Sequence, residues 1–232
     1  MKAMILAAGF GTRLKPITDS IPKPLIEVNR EVILERIIRR LSASGFDEIV
    51  INVHHLAGKI KNFLKSKNNF GLRIELSEEK EILGTGGALK KAEWFLRNSG
   101  HFILHNADIY TNLDYQNLYK CHLRYNSLAT LAVKNRDSKS YLLFDENMNL
   151  KGISSKKESG YKSLAFSGVH VISAEIFSKM TELGFFSIID VYMRLIGEGE
   201  ILKGFCDDKS LWFDIGSIGK LEELNKFLRR RK

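Results

Sequence analysis

Residues Lys2 to Val28 read KAMILAAGFGTRLKPITDSIPKPLIEV, and this stretch decides the fold. Ala3 to Ala8 is an apolar run of β type. The glycine loop Gly9-Phe10-Gly11-Thr12-Arg13 follows it, and Pro22-Lys23-Pro24 comes shortly after. A strand that ends in such a loop turns backbone N–H groups toward an anion, and glycine lets the main chain approach a phosphate with no Cβ between. Arg13 and Lys23 add positive charge where a polyphosphate needs it. Neither common phosphate fingerprint is present. G-x-x-x-x-G-K-[ST] is absent, and Leu14 holds the place of the last glycine of G-x-G-x-x-G.

The rest of the chain bounds the partners. At 232 residues it makes one large domain or two small ones, and 44% hydrophobic with 27% charged residues are globular values. No apolar run is long enough to span a bilayer, and the N-terminus enters a strand pattern with no signal-peptide cleavage site. Cys121 and Cys206, two thiols far apart, suit a reducing cytoplasm and are expected as small buried hydrophobes. The net charge is +9, of which the tail Arg229-Arg230-Arg231-Lys232 supplies four; the tail reads as a solvated helix end. Without RNA-module aromatics or zinc-knuckle spacing, the basic balance favours phosphorylated metabolites over nucleic acid, with no membrane partner.

Periodicity predicts alternating strands and helices. Helices are expected over Glu31–Ala43 with Gly45 as its cap, Ala57–Lys65 and Thr85–Phe95. Strands are expected over Glu48–Val53, Arg73–Ser77 and Phe102–Asn106. This alternation argues for an α/β sheet with helices on both faces, in which ligands bind at the carboxyl ends of the strands. The first glycine loop, Asn52–His55, Leu83–Gly87 and Asp108 all fall at that edge. The second half is expected to hold helices over Tyr115–Arg124, Ala174–Met180, Ile188–Ile196 and Ser217–Arg229. Its strands are expected over Leu128–Val133, Ala165–Ile172 and Ile201–Phe205, with a hairpin of Tyr141–Phe144 and Leu150–Ile153 and a polar loop over Lys156–Ser163.

Several residues could carry chemistry. Asp108, just past the strand ending at Asn106, is placed as an Mg²⁺ ligand or as an ordinary turn or capping acid. Asp214, in LWFDIG, is a second acid or a residue that complements a helix N-terminus. His54 and His55, adjacent on a strand end, point to opposite faces, and His101 and His105 are too far apart along a strand to share a metal; structural roles are expected for all four. Leu83-Gly-Thr-Gly-Gly-Ala88 is a loop into a helix, or a close backbone approach to a flat base read by main-chain groups around Gly86. Gly168, in AFSGVH, sits at a strand bulge or makes room for a ligand.

Taken together, LAAGFGTRLKPIT with PKP, the GTGG loop, the Ala107-Asp108-Ile109 stretch, FSGVH and WFDIG resemble the signatures of sugar-1-phosphate nucleotidylyltransferases, also called NDP-sugar pyrophosphorylases. The resemblance covers essentially the whole chain. It implies an α/β fold with a Rossmann-like mixed sheet flanked by helices, the nucleotide-diphospho-sugar transferase fold. It further implies a single domain over 1–232, nucleotide-binding in about 1–110 and sugar-binding in a smaller elaboration over about 111–232. The implied reaction joins an NTP and a sugar 1-phosphate to give an NDP-sugar and pyrophosphate. Arg13 would hold the β/γ-phosphates and Lys23 the α-phosphate. Ala8, Gly9, Gly11, Thr12, Gly86 and Asn106 would bind the nucleotide, Gly168 the sugar, and Asp108 and Asp214 an Mg²⁺ cofactor. A further lysine on the sugar phosphate, one of Lys156, Lys157 and Lys162, is not assigned.

The short form with HHLA resembles most the N-acetylmuramate-1-phosphate uridylyltransferase type, which favours UTP. Mannose- or heptose-1-phosphate guanylyltransferases, using GTP, share nearly all the motifs, and a phosphocholine cytidylyltransferase is a third option. No hexapeptide repeat is present, so a monofunctional transferase is expected; a cytoplasmic location and a monomer or homodimer are expected as well. From another class, a non-catalytic nucleotide-sensing subunit would have lost the loop basics and the acids, and this chain keeps Arg13, Lys23, Asp108 and Asp214. A basic RNA-binding protein is the remaining rival.

Overall fold

A computed structural model of the chain describes residues 1–230. Arg231 and Lys232 of the basic tail lie outside the described residues. In chain order the strands are β1 (Lys2–Leu6), β2 (Glu27–Val28), β3 (Glu31–Val32), β4 (Glu48–Val53), β5 (Arg73–Glu78), β6 (His101–Asn106), β7 (Ile109–Thr111), β8 (Ala129–Lys134), β9 (Tyr141–Phe144), β10 (Leu150–Ser154), β11 (Lys162–Ser173), β12 (Leu202–Cys206) and β13 (Trp212–Asp214). The helices are α1 (Ile17–Ser20), α2 (Ile33–Ala43), α3 (Ala57–Ser66), α4 (Gly84–Lys91), α5 (Glu93–Leu96), α6 (Tyr115–Tyr125), α7 (Ile176–Lys179), α8 (Ile188–Gly197) and α9 (Ile218–Arg229). The fold is the expected mixed α/β sheet flanked by helices.

The chain forms two compact units, each assembled from separate segments. The first holds Met1–Ile82, His105–Asn112 and Leu211–Lys232, and the second holds Leu83–Leu104 and Leu113–Ser210. Strand β6 passes through the boundary after Leu104.

In the first unit β1, β4 and β5 are parallel, with Ala3 beside Ile49 and Ile49 beside Ile74. Parallel strands with covered faces read as continuous apolar runs, and the middle of β1 and nearly all of β4 are buried. Helix α2 closes the β1-to-β4 crossover. Its stripe Leu34, Ile37, Ile38 and Leu41 is buried, and each such side chain contributes roughly 1.5–3 kcal/mol relative to exposure. Gly45, at φ +82°, ends it in the left-handed conformation that glycine adopts without strain. The helix starts at Ile33 rather than the expected Glu31, because Glu31 and Val32 pair back on Val28 and Glu27 as a tight hairpin.

In the second unit β11 runs antiparallel to β8 and β9, β10 pairs antiparallel with β9, and β12 runs parallel to β8. The expected hairpin of β9 and β10 is present. Ser187 caps α8 through Ile189 N–H, and Asp114 caps α6 through Asn117 N–H. Three expectations change here. The helix predicted over Thr85–Phe95 breaks at Ala92 into α4 and α5. The helix predicted over Ala174–Met180 is the short α7. The polar loop gives up Lys162 and Ser163 to the long strand β11. Cys121 is buried as expected but Cys206 is exposed, because it closes β12 at a strand end; both thiols are free. No helix of the described residues is long and apolar enough to cross a membrane.

Candidate functional site

The glycine loop leaves β1 where the chain also leaves β4, since the two strands are parallel. A buried amide ties these exits together. Asn52 Oδ1, near the end of β4, accepts Ala7 N–H at 2.7 Å, and Asn52 Nδ2 donates to Glu79 Oε1 at 2.7 Å. His54 Nδ1 lies 2.8 Å from the Glu79 carbonyl, and the rings of His54 and His55 flank Phe10 with centroids 5.4 and 5.8 Å away. The two histidines therefore buttress the loop, as their expected structural role requires.

Within the loop, Gly11 sits at φ +66°. A Cβ there would lie 2.8 Å from Thr18 Cγ2, so both conformation and space demand glycine. Thr18 is buried and its hydroxyl donates to Gly11 O at 2.9 Å, pinning the loop from below. Gly9 faces open space. From Gly9 to Arg13 the backbone N–H groups have no intramolecular acceptor among the described residues. A row of such donors at a strand exit is what an anion-binding concavity needs.

The basic residues and the acids meet at this rim. Lys23, its side chain 13% exposed, places Nζ 2.6 Å from Asp108 Oδ2. Its Cβ would lie 3.4 Å from a Cβ on Gly11, so its stem runs against the loop. Asp108 follows β6, and Ala107 N–H donates to Leu6 O at 3.0 Å, which brings the acid to the end of β1. Asp214 arrives through a two-stranded antiparallel ribbon: β13 pairs with β7, Asp214 opposite Ile109, and Ile215 N–H donates to the Asp108 carbonyl at 2.9 Å. The two acids are thus neighbours across the ribbon. Asp214 Oδ1 accepts Gly216 N–H at 2.7 Å, and Oδ2 accepts Lys220 Nζ at 2.6 Å. Burial pushes the Asp214 carboxyl up, but Lys220, then Lys23 and the Gly216 amide outweigh it and hold the group below its ordinary range. Arg13 is exposed, with Nη2 2.9 Å from where a Cβ on Gly216 would sit, so it faces the same turn. Beneath the rim His105 is fully buried, and burial lowers its imidazole to about 4, so it is neutral.

Two carboxylates side by side are hard oxygen donors. Among the described residues no group of three or more His, Cys, Asp or Glu could form a metal cage. That donor set suits Mg²⁺, which takes one or two carboxylates and completes its shell with water and phosphate oxygens, and it does not suit a structural zinc.

The sequence profile described as Nucleotidyl transferase matches residues 2–231. The chain belongs to that family. The UTP–glucose-1-phosphate uridylyltransferase of Synechocystis sp. is 38% identical over 144 residues, covering 58% of this chain and 37% of that protein. The mannose-1-phosphate guanylyltransferase catalytic subunit beta of Xenopus tropicalis is 26% identical over 226 residues, covering 93% of this chain and 61% of that one. The chain thus spans less than two thirds of either curated relative. Among solved structures, HddC from Yersinia pseudotuberculosis complexed with GMP-PN superposes with a TM-score of 0.80 at 26% identity, covering 98% and 99% of the two chains.

In the second unit the other expected residues stand as follows. Gly84, Gly86 and Gly87 pack against the 184–188 segment. A Cβ on Gly86 would lie 2.4 Å from the Phe186 ring, and one on Gly87 2.5 Å from Gly184 O. Gly86 N–H donates to Phe186 O at 3.0 Å, and Thr85 Oγ1 accepts Ile188 N–H at 2.9 Å. The small side chains of this loop are required by packing within the unit. Gly168, at φ +74°, lies where the β11–β8 register shifts between Phe166 and His170, which is a bulge. Lys162 Nζ donates to Glu146 O at 3.1 Å, and Lys157 Nζ lies 5.8 Å from the Tyr141 ring centroid. Thr18, Glu79 and Lys220 were not expected from the sequence. Asn52, a lone amide in the apolar strand EIVINV, carried the one signal that could have found its bridging role.

Proposed function

We propose that this chain is a sugar-1-phosphate nucleotidylyltransferase. A phosphate oxygen of the sugar 1-phosphate attacks the α-phosphorus of an NTP, the bond from that phosphorus to the bridging oxygen breaks, and pyrophosphate leaves. The observation that carries this reading is the convergence of Lys23, Arg13, Asp108 and Asp214 on the rim of a loop with unpartnered N–H donors. No protein nucleophile is needed. The protein's work is to position the reactants and balance charge that grows on the transferring phosphoryl oxygens. Lys23, held by the loop, neutralises the α-phosphate as its charge builds. Arg13, exposed on the rim, grips the outer phosphates that depart. Asp108 and Asp214 would hold Mg²⁺, which supplies charge neutralisation to the phosphates when bound.

For the nucleotide we favour UTP, on the HHLA stretch and the uridylyltransferase relative. GTP is the second reading, favoured by the guanylyltransferase relative and by the GMP-PN complex of the Yersinia protein. A matrix of four NTPs against glucose, mannose, heptose and N-acetylmuramate 1-phosphates, read by pyrophosphate release, tests both. Release that depends on one NTP and one sugar phosphate is expected. No release above background in any cell of the matrix would overturn the reading.

A further inference from the structure

Neither acid on the rim is bare. Lys23 Nζ is 2.6 Å from Asp108 Oδ2, and Lys220 Nζ is 2.6 Å from Asp214 Oδ2. Lys23 has a part in the proposed transfer; Lys220, on the first turn of α9, has none. The Lys220 side chain is 46% exposed and that of Asp214 22%. An exposed ion pair of this kind adds little to the stability of a fold. A lysine on the first turn of a helix also opposes the helix dipole. Stability is therefore a thin reason for the contact. Its position is more telling. Asp214 Oδ1 is taken by the Gly216 amide, so Oδ2 is the oxygen that turns outward, and the ammonium sits on it.

We propose that Lys220 is a place-holder for a divalent cation: its ammonium occupies Asp214 Oδ2 in the nucleotide-free protein and must be displaced when the cation arrives. The inference rests on the reading of Asp108 and Asp214 as cation ligands. With the Lys23 and Lys220 ammonium groups and the Arg13 guanidinium against two carboxylates, the rim carries one net positive charge, and a lone dication gains little by entering it. A dication that arrives with a polyphosphate meets a different balance, because the phosphates attract both ammonium groups off the carboxylates. The pairing thus makes the site poor for free cation and good for the cation–nucleotide complex. Lys220 acts here through Asp214 and is a positioning residue.

The test uses Mn²⁺ as probe, titrated by electron paramagnetic resonance into the whole nucleotide-free chain. Lys220→Met removes one positive charge from the rim and frees Asp214 Oδ2, and is expected to tighten Mn²⁺ binding about 5–10-fold. Lys220→Arg, which keeps the charge, is expected to bind as the parent does, and Asp214→Asn placed in the Lys220→Met chain is expected to abolish the gain. Lys220→Gln repeats the experiment should the methionine variant lose its circular dichroism signature. If neutral variants bind within twofold of the parent while Asp214→Asn weakens the parent, the place-holder is wrong and the cation reading stands. If Asp108→Asn and Asp214→Asn, each placed in the Lys220→Met chain, leave its Mn²⁺ binding unchanged, the cation reading falls and takes the place-holder with it.

Discussion

Lys23 and Asp108, 85 positions apart in the sequence, meet at 2.6 Å on the rim of the glycine loop. On the proposed reading, Lys23 is the group that meets the α-phosphate. An interaction that strengthens only in the transition state lowers kcat and kcat/KM together when it is lost. Lys23→Ala is expected to reduce kcat about 10²–10³-fold. Arg13→Ala, which removes a grip on phosphates already present in the ground state, is expected to raise the KM for NTP as well. Steady-state pyrophosphate release, with circular dichroism as the folding control, checks both. A Lys23→Ala kcat within a few-fold of the parent would reduce Pro22-Lys23-Pro24 to a rigid surface turn.

Gly86 is tested through its neighbour. A methyl group there would sit 2.4 Å from the Phe186 ring, inside any tolerable contact. Gly86→Ala is expected to cost about 1–3 kcal/mol in urea unfolding. In a double-mutant cycle with Phe186→Leu the two changes should cost less together than their sum. Unchanged stability with weakened nucleotide binding would instead assign the glycine to the ligand.

Asn52 is the amide that ties the loop's first residue to Glu79. Asn52→Leu deletes both bonds and leaves the buried Ala7 N–H without its acceptor, at about 1–3 kcal/mol for an unsatisfied group. The expected loss is at least that, measured by chemical unfolding. A loss under about 0.5 kcal/mol, the size of an ordinary surface change, would show that the loop exit does not depend on the bridge.

In the second unit His122 is fully buried, with Nε2 3.0 Å from His101 Nδ1 and Nδ1 2.9 Å from Thr130 Oγ1. Burial, then the His101 charge, pulls its imidazole down to about 3 from an ordinary 6.5. Between those values the unfolded chain binds a proton that the folded chain refuses. Stability is therefore full above pH 6.5 and falls as pH drops below it, by at most roughly 1.4 kcal/mol per pH unit for this group. Unfolding free energies from pH 7 to 5 should show that fall, and His122→Gln should flatten it by up to one proton. An unchanged slope would mean that the ring takes up its proton without leaving the fold.

Much of the fold could be read from the sequence because its signals are local. The strands β4 and β5 and the helices α3, α6, α8 and α9 fall within a residue or two of their apolar periodicity. Gly11 reads as a glycine that lets the backbone approach a phosphate; its left-handed conformation and its contact with Thr18 are seen only in the fold. What stayed hidden depends on distant partners. Glu31 and Val32 look helical by pattern but pair with Val28 and Glu27. The ribbon of β7 with β13 is three residues on each side, too short to show a period, yet it is what makes Asp108 and Asp214 neighbours. Lys220 looks like any lysine on a helix face until Asp214 is placed beside it. The GTGG glycines were legible as a close approach, but their packing against Phe186, about a hundred positions on, carries no local signal.

The β7–β13 ribbon also sets an order of assembly. The glycine loop, Lys23 and Asp108 all lie in the first half of the chain, whereas Asp214 is delivered only when Trp212–Asp214 is available to pair. During synthesis the segments that carry the loop, Lys23 and Asp108 are all made before residues 113–214. The second carboxylate joins them only after the whole intervening segment, residues 113–210, has been made. The pair of acids that could grip a cation is therefore split between two segments of one compact unit, and neither segment can complete it without the other.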